Sequence, residues 1–318
     1  MRSAIATAVA VMAFAATAAP AQTRSTIHHE YVTANGVKLH YVRSGQGDLV
    51  LFMHGFPEFW YAWKDQLADL GQDYLAVAPD LRGFGLSEKP AVVEDYRAAN
   101  IIEDIRALAA SLNGGKPFVL VGHDWGGAIA WGFAAKYPNL LRKLVIINAP
   151  HPVVFARELR ENKAQQQASG YMLFFRSPQA EATLSANDYT PIINLFSGLK
   201  AKGRFTPDDE RAYREAYRQP GALTGGLNYY RASRIGPPSP GSQDTLVAGA
   251  SFGDYAVRVP TLVIWGEKDE ALLTGNLVGL DAFVPDLTIH RIPEGTHWVV
   301  HEYPEQVSGL IRRFIAKP

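Results

Sequence analysis

Residues 116–131 read KPFVLVGHDWGGAIAW. A short apolar run with strand character gives way to an alanine-rich run with helix character. Only Gly122-His123-Asp124-Trp125-Gly126 joins the two. So short a link forces a sharp turn with its central residue, Asp124, in an unfavourable backbone conformation. Gly122 and Gly126 remove side chains that would otherwise collide there. Asp124 is then held over the carboxyl ends of the strands, where a helix N-terminus favours negative charge. Taken alone, the pattern also fits an Asp that merely caps a helix.

The same alternation runs along much of the chain. YVTANGVKLHYV has two alternating runs around Asn35-Gly36 and predicts a hairpin. DLVLFMHGF, YLAVAPDLRG and RKLVIINAP predict short buried strands, and AANIIEDIRALAASL a helix with Ile102, Ile105, Leu108 and Leu112 at helical spacing. After Pro150 the β-like runs stop, and residues 151–258 are richer in polar, aromatic and helix-forming types. VPTLVIWGEKD and LTIHRIPEGTHW resume the strand pattern, and PEQVSGLIRRFIAK closes with Val307, Leu310, Ile311 and Phe314 on one helix face. The expectation is an α/β fold: a mostly parallel sheet with helices on both faces. Its core comprises residues 22–150 and 259–318, with 151–258 inserted as a helical lid. IGPPSPGSQDT, near the end of that segment, predicts an exposed loop.

The first 21 residues predict a cleaved signal peptide. Arg2 supplies the positive start, an apolar run follows from Ala4 to about Ala16, and Ala19-Pro20-Ala21 fits a cleavage site after Ala21. The run is shorter than the ~20 apolar residues a spanning helix needs. A periplasmic or secreted protein without stable membrane association is expected. Export permits disulfides, yet the chain has no cysteine, so stability must come from core burial, and thiolate chemistry is excluded. With 31 basic and 31 acidic residues and no long basic run, nothing favours a nucleic-acid partner. No phosphate loop or metal-binding pattern is present, so no cofactor or metal is expected. The sequence specifies no oligomeric state.

An acid at such a turn can act as a nucleophile if a base, an orienting acid and oxyanion donors accompany it. His297 in EGTHW follows the last predicted strand, and Asp269 in IWGEKDE follows the strand before it. MHGFPE follows an early strand and puts the Phe56 amide, with that of Trp125, in position to hold an oxyanion. The order nucleophile, acid, histidine fits α/β-hydrolases. His123 is expected to point away toward packing, and Asp80 to anchor a turn.

HGFPEFWYAW, DLRGFGLSEKP, GHDWGGAIAW, GEKD and GTHW together resemble the α/β-hydrolase epoxide hydrolases of the soluble type, over roughly residues 27–317. That resemblance implies two lid tyrosines that hold the epoxide oxygen. GYMLFFRSPQAEATL supplies Tyr171, and GLNYYRA supplies Tyr230, with Tyr229 as the one-position alternative. It also implies a small hydrophobic epoxide and water as reactants. Phe56, Pro57, Trp125, Phe174 and Trp298 are the expected substrate contacts. An aspartate suits this chemistry because its attack yields an ester, which water can cleave at the former Asp124 carboxyl carbon. A serine would leave an ether. Dehalogenases share the aspartate, but haloacid-type relatives carry Arg where Trp125 stands, and haloalkane-type relatives carry Asn where Phe56 stands. A non-catalytic binding protein on the same fold is the alternative of another class.

Overall fold

The computed structural model describes residues 26–233, 235–238 and 255–317. The signal peptide expected at 1–21 and most of the loop expected at 235–245 lie outside these residues.

The chain opens with β1 (His28–Ala34) and β2 (Val37–Ser44), paired antiparallel with Ala34 opposite Val37. Asn35 and Gly36 both adopt positive φ, 48° and 77°, the geometry that matches a two-residue turn to the twist of its strands. β3 (Leu49–Met53), α1 (Lys64–Leu70), β4 (Leu75–Pro79), α2 (Ala98–Asn113), β5 (Phe118–His123), α3 (Trp125–Lys136) and β6 (Leu141–Ile147) then alternate. Helices α4 (Pro152–Glu161), α5 (Lys163–Ala168), α6 (Tyr171–Arg176), α7 (Ala180–Ile193), α8 (Ser197–Ala201), α9 (Pro207–Tyr217) and α10 (Ala222–Ala232) follow without an intervening strand. The sheet resumes with β7 (Thr261–Gly266) and β8 (Leu287–Ile292), and α11 (Val299–Glu302) and α12 (Pro304–Ile315) close the chain.

The eight strands lie in the order β1-β2-β4-β3-β5-β6-β7-β8. β2 is antiparallel to β1 and β4, and every pairing from β4 to β8 is parallel. Alternate residues of the parallel strands serve opposite faces. On β5, Phe118 and Leu120 join Ile105 and Leu108 of α2 and Phe133 of α3. Val119 and Val121 join Leu67 of α1 and Val307, Ile311 and Phe314 of α12. Because both faces are buried, the strands read as continuous apolar runs. Burying a side chain such as Ile311 is worth about 1.5–3 kcal/mol.

Helices α4–α10 are rooted on the sheet by specific hydrogen bonds. The Tyr217 hydroxyl donates to the Pro57 carbonyl at 2.9 Å, and that of Tyr229 to the Arg82 carbonyl at 2.9 Å. Gln165 donates to the Ala271 carbonyl at 2.8 Å. α7 is broken at Ala186–Tyr189, where Asn187, Asp188 and Tyr189 all have positive φ. The Arg218 guanidinium holds the Asp188 carboxylate across this break. No helix among the described residues is long and apolar enough to cross a membrane.

Candidate active site

The turn between β5 and α3 has the strained apex its glycines predict. Asp124 sits at φ 50°, ψ −121°, and Ala128 N–H donates to its carbonyl at 2.9 Å. A Cβ on Gly126 would lie 2.2 Å from the Met53 carbonyl oxygen, and one on Gly122 would lie 2.6 Å from that of Gly126. β3 and α3 therefore approach too closely for any side chain, and the turn demands glycine. Gly55 is equally constrained, because its added Cβ would fall 2.1 Å from Asp124 Oδ1.

That closeness delivers the loop after β3 onto the carboxylate. Phe56 N–H donates to Asp124 Oδ1 at 2.8 Å, and the Trp125 amide also bonds the carboxylate. His297 approaches from the loop after β8, with Nε2 3.8 Å from Asp124 Oδ2, too far for a direct hydrogen bond. Its Nδ1–H donates to Asp269 Oδ2 at 2.8 Å. Asp269 is 3% exposed and otherwise fully engaged. The amides of Ala271 and Leu272 donate to Oδ1 at 2.9 Å each, and Asn148 Nδ2 donates to Oδ2 at 2.8 Å. Asp124, Asp269 and His297 thus converge, although 145 residues separate the first two.

Two groups of residues escaped the sequence reading. Asn148 ends β6 with φ 39° and brackets Gly266, accepting from its N–H at 2.9 Å and donating to its carbonyl at 3.3 Å. It locks the β7 end that carries Asp269. The second group surrounds Glu58, a carboxylate only 2% exposed. His123 Nδ1 donates to it at 3.0 Å, His301 Nε2 at 2.5 Å, and the Tyr213 hydroxyl of α9 at 3.2 Å. The second nitrogen of His123 donates to the His297 carbonyl at 2.9 Å. His123 is therefore not simply packed, as its position suggested. It links a buried carboxylate to the backbone of His297, and a charged residue within aromatic FPEFW was the available signal. Asp80 does anchor its turn, accepting from Leu86 N–H at 2.9 Å and Trp60 N–H at 3.0 Å.

A largely apolar cavity adjoins Asp124. Tyr171 of α6 and Tyr230 of α10 both line it, their ring centroids 6.1 Å apart, together with Trp125, Phe155, Met172 and Leu272. Tyr229 points elsewhere, toward the Arg82 carbonyl and the Phe84 ring, so the residue facing Asp124 is Tyr230. Of the five expected substrate contacts only Trp125 lines this cavity; Phe56, Pro57, Phe174 and Trp298 do not. Phe174 is 36% exposed, and its neighbour Phe175 takes the inward position against Phe56 and Tyr230. Trp298 packs on Phe196, and Pro57 is engaged through its carbonyl by Tyr217. The Phe56 ring packs between Phe175 and Tyr230, while its amide serves Asp124.

The charges reinforce one another. Burial raises the Asp124 pKa, and the charges of His297 and His123 and the Trp125 and Phe56 amides oppose that rise. Burial would lower the His297 pKa, but the Asp269 charge and hydrogen bond, then the charges of Asp124 and Glu58, lift it to about 9. At Asp269 burial works upward, yet His297, Leu272 N–H and Asn148 bring the net shift downward. Burial, then the Asp124 charge, raises both Tyr171 and Tyr230, so both are neutral phenols able to donate. Among the described residues no group of three or more His, Asp or Glu side chains is arranged to hold a metal ion.

A strained strand–helix elbow bearing an acid, amides on that acid, and an Asp-supported His beyond it define a hydrolase of the α/β type. The chain belongs to the α/β-hydrolase fold family, which matches residues 48–304. Its similarities within the family are more particular. It is 38% identical to mouse "Epoxide hydrolase 4" over 88% of this chain and 77% of that protein. It is 37% identical to the "AB hydrolase superfamily protein YfhM" of Bacillus subtilis, over 90% of this chain and 97% of that one. Among solved structures, an inhibitor complex of Bacillus megaterium epoxide hydrolase superposes with a TM-score of 0.84. Sequence identity there is 36%, over 91% of this chain and all of that one.

Proposed function

We propose that this chain hydrolyses epoxides to vicinal diols through an alkyl ester on Asp124. The observation that carries the reading is one cavity in which a half-buried carboxylate faces two neutral phenols, Tyr171 and Tyr230. A serine-type esterase has no use for a paired phenolic acid, and epoxide opening needs one to protonate a developing alkoxide.

The hydrogen bonds assign the oxygens. Oδ1 is held by Phe56 N–H, so it remains as the carbonyl oxygen of the ester, and Oδ2 attacks the ring carbon. The carbon–oxygen bond of the ring breaks, and the ring oxygen takes a proton from Tyr171 or Tyr230. Loss of the Asp124 charge removes one of the influences that keep His297 protonated. Its proton can then restore the phenol. Neutral His297, oriented by Asp269, takes a proton from water, and the resulting hydroxide attacks the Asp124 carboxyl carbon. Oxyanion charge builds on Oδ1, between the Phe56 and Trp125 amides, where one such donor is typically worth about 3 kcal/mol. Collapse releases the diol, whose oxygen takes the remaining proton of the attacking water. Asp124 returns as carboxylate and His297 as imidazolium.

The apolar lining from Phe155, Met172 and Leu272 supports a hydrophobic substrate such as an aryl or alkyl oxide. We read α4–α10 as the lid that brings this lining over the sheet. Export rests on the sequence of residues 1–21, and N-terminal sequencing of protein recovered outside the cytoplasm tests it. The central experiment is a single turnover of styrene oxide in heavy-oxygen water. Label should appear in the peptide containing Asp124; diol accumulating with no label there refutes the ester. Halide release from haloalkanes without diol formation from epoxides would assign the same acid to dehalogenation.

A further inference from the structure

The two phenols sit on separate helices, Tyr171 at the first residue of α6 and Tyr230 near the end of α10. Their common grip on one ring oxygen requires those helices to keep a fixed separation. One side chain spans them. Arg176, the last residue of α6, donates from Nε to the Tyr230 carbonyl at 2.8 Å and from Nη2 to the Ile235 carbonyl at 2.8 Å. The Tyr230 carbonyl is among the last four of α10, which lack partners within the helix. A cation there also meets the negative end of the helix dipole. Ile235 lines the cavity beside Tyr230, so the same guanidinium fixes a further piece of its wall.

The fit is close on every side. A Cβ on Gly236 would lie 2.4 Å from Arg176 Nη1, so the chain passes directly across the guanidinium. Next to Arg176 in the chain, Phe175 packs on Tyr171 at 5.4 Å and on Tyr230 at 5.0 Å between ring centroids. Among the described residues no carboxylate pairs with Arg176. A half-buried cation without a counter-ion still carries a desolvation cost, and a neutral amide could cap one carbonyl at less cost. What the planar fork adds is simultaneous engagement of two backbone segments.

We propose that Arg176 is a positioning residue for ring opening, tying the helix that carries Tyr171 to the helix end that carries Tyr230. The inference rests on the tyrosine pair acting as the acid. Ring opening depends on the spacing of the two hydroxyls, whereas ester hydrolysis depends on His297 and the amides and does not. Losing the fork therefore slows the first step and spares the second.

The test separates the two steps by rapid quench and intact-mass detection of the Asp124 adduct with styrene oxide. Arg176→Met should slow ester formation by on the order of tenfold to a hundredfold and leave the rate of ester breakdown unchanged. Arg176→Lys keeps the charge but not the fork, and should recover only part of the loss. In a Tyr171→Phe background Arg176→Met should add little, because its effect passes through the phenol pair. Ester formation at the wild-type rate in Arg176→Met overturns the proposal. So does equal slowing of both steps, or full additivity with Tyr171→Phe. If Arg176→Met does not fold, Arg176→Lys decides alone: slower ester formation with unchanged breakdown supports the role, and unchanged rates for both overturn it. Tyr171→Phe and Tyr230→Phe, measured alone, report on the acid reading itself: were neither to slow ester formation, that reading would fall whatever Arg176 does.

Discussion

The His297–Asp269 pair should make stability depend on pH in a direction the structure fixes. His297 has an ordinary pKa of 6.5 and is lifted to about 9 in the folded chain, where burial is outweighed by Asp269, Asp124 and Glu58. A histidine whose pKa is raised by folding stabilises the native state fully below 6.5 and loses that contribution as pH rises through about 9. The move from 6.5 to about 9 corresponds to about 3 kcal/mol. Asp269→Asn removes the largest of the raising influences while retaining an oxygen for the Ala271 and Leu272 amides. The stability of each protein, measured by urea unfolding at pH 6 and at pH 9.5, gives a wild-type-minus-variant gap at each pH. Other titrating groups largely cancel in that difference. Because Asp124 still acts on His297 in the variant, the gap should shrink by about 2–3 kcal/mol between pH 6 and pH 9.5. A gap that stays constant, or widens with pH, would show that His297 is not held as an imidazolium by Asp269.

Three other outcomes follow from the same geometry. His297→Gln should accumulate the Asp124 ester, visible as a substrate-sized mass increase on the intact chain, and its absence after substrate exposure would count against the two-step scheme. Tyr230→Phe should slow ester formation on the order of a hundredfold. Tyr229→Phe should leave that rate near wild type while lowering stability by about 1–3 kcal/mol, since the buried Arg82 carbonyl loses its donor. The reverse assignment of effects would show that the wrong neighbour has been placed in the cavity. Gly126→Ala places a methyl 2.2 Å from the Met53 carbonyl oxygen, so the elbow must shift. Soluble, folded protein with normal activity would contradict so close a contact.

What was legible in the sequence was whatever short-range spacing determines. The glycines flanking Asp124 mark the elbow, because Gly126 excludes a side chain at Gly122 within the same turn, and continuous apolar runs specify strands buried on both faces. Asp269 and His297 were found because each directly follows a strand, so strand order predicts their meeting place. The rotation of a helix in the α4–α10 segment is not set this way. Adjacent helical residues point about 100° apart, and which of them faces inward depends on packing against the sheet. That is why Tyr229 and Tyr230 could not be separated, and why Phe174 was expected where Phe175 lies. Glu58 shows the same limit at longer range. Its partners His123, Tyr213 and His301 come from β5, α9 and α11, and no local pattern announces that they meet.

In the proposed reaction the charges around His297 differ between the two steps. An imidazolium 3.8 Å from the Asp124 carboxylate favours its ionised form, opposing the rise that burial causes. A neutral histidine there would leave the half-buried acid closer to protonation. Ester formation as proposed would cancel the Asp124 charge and so ease deprotonation of His297 at the step where a base is first required, although Asp269, the larger raising influence, persists. Asp269 remains charged throughout and keeps the ring oriented, with Nδ1 bound and Nε2 facing the ester. On the proposed scheme the first step therefore itself favours the second.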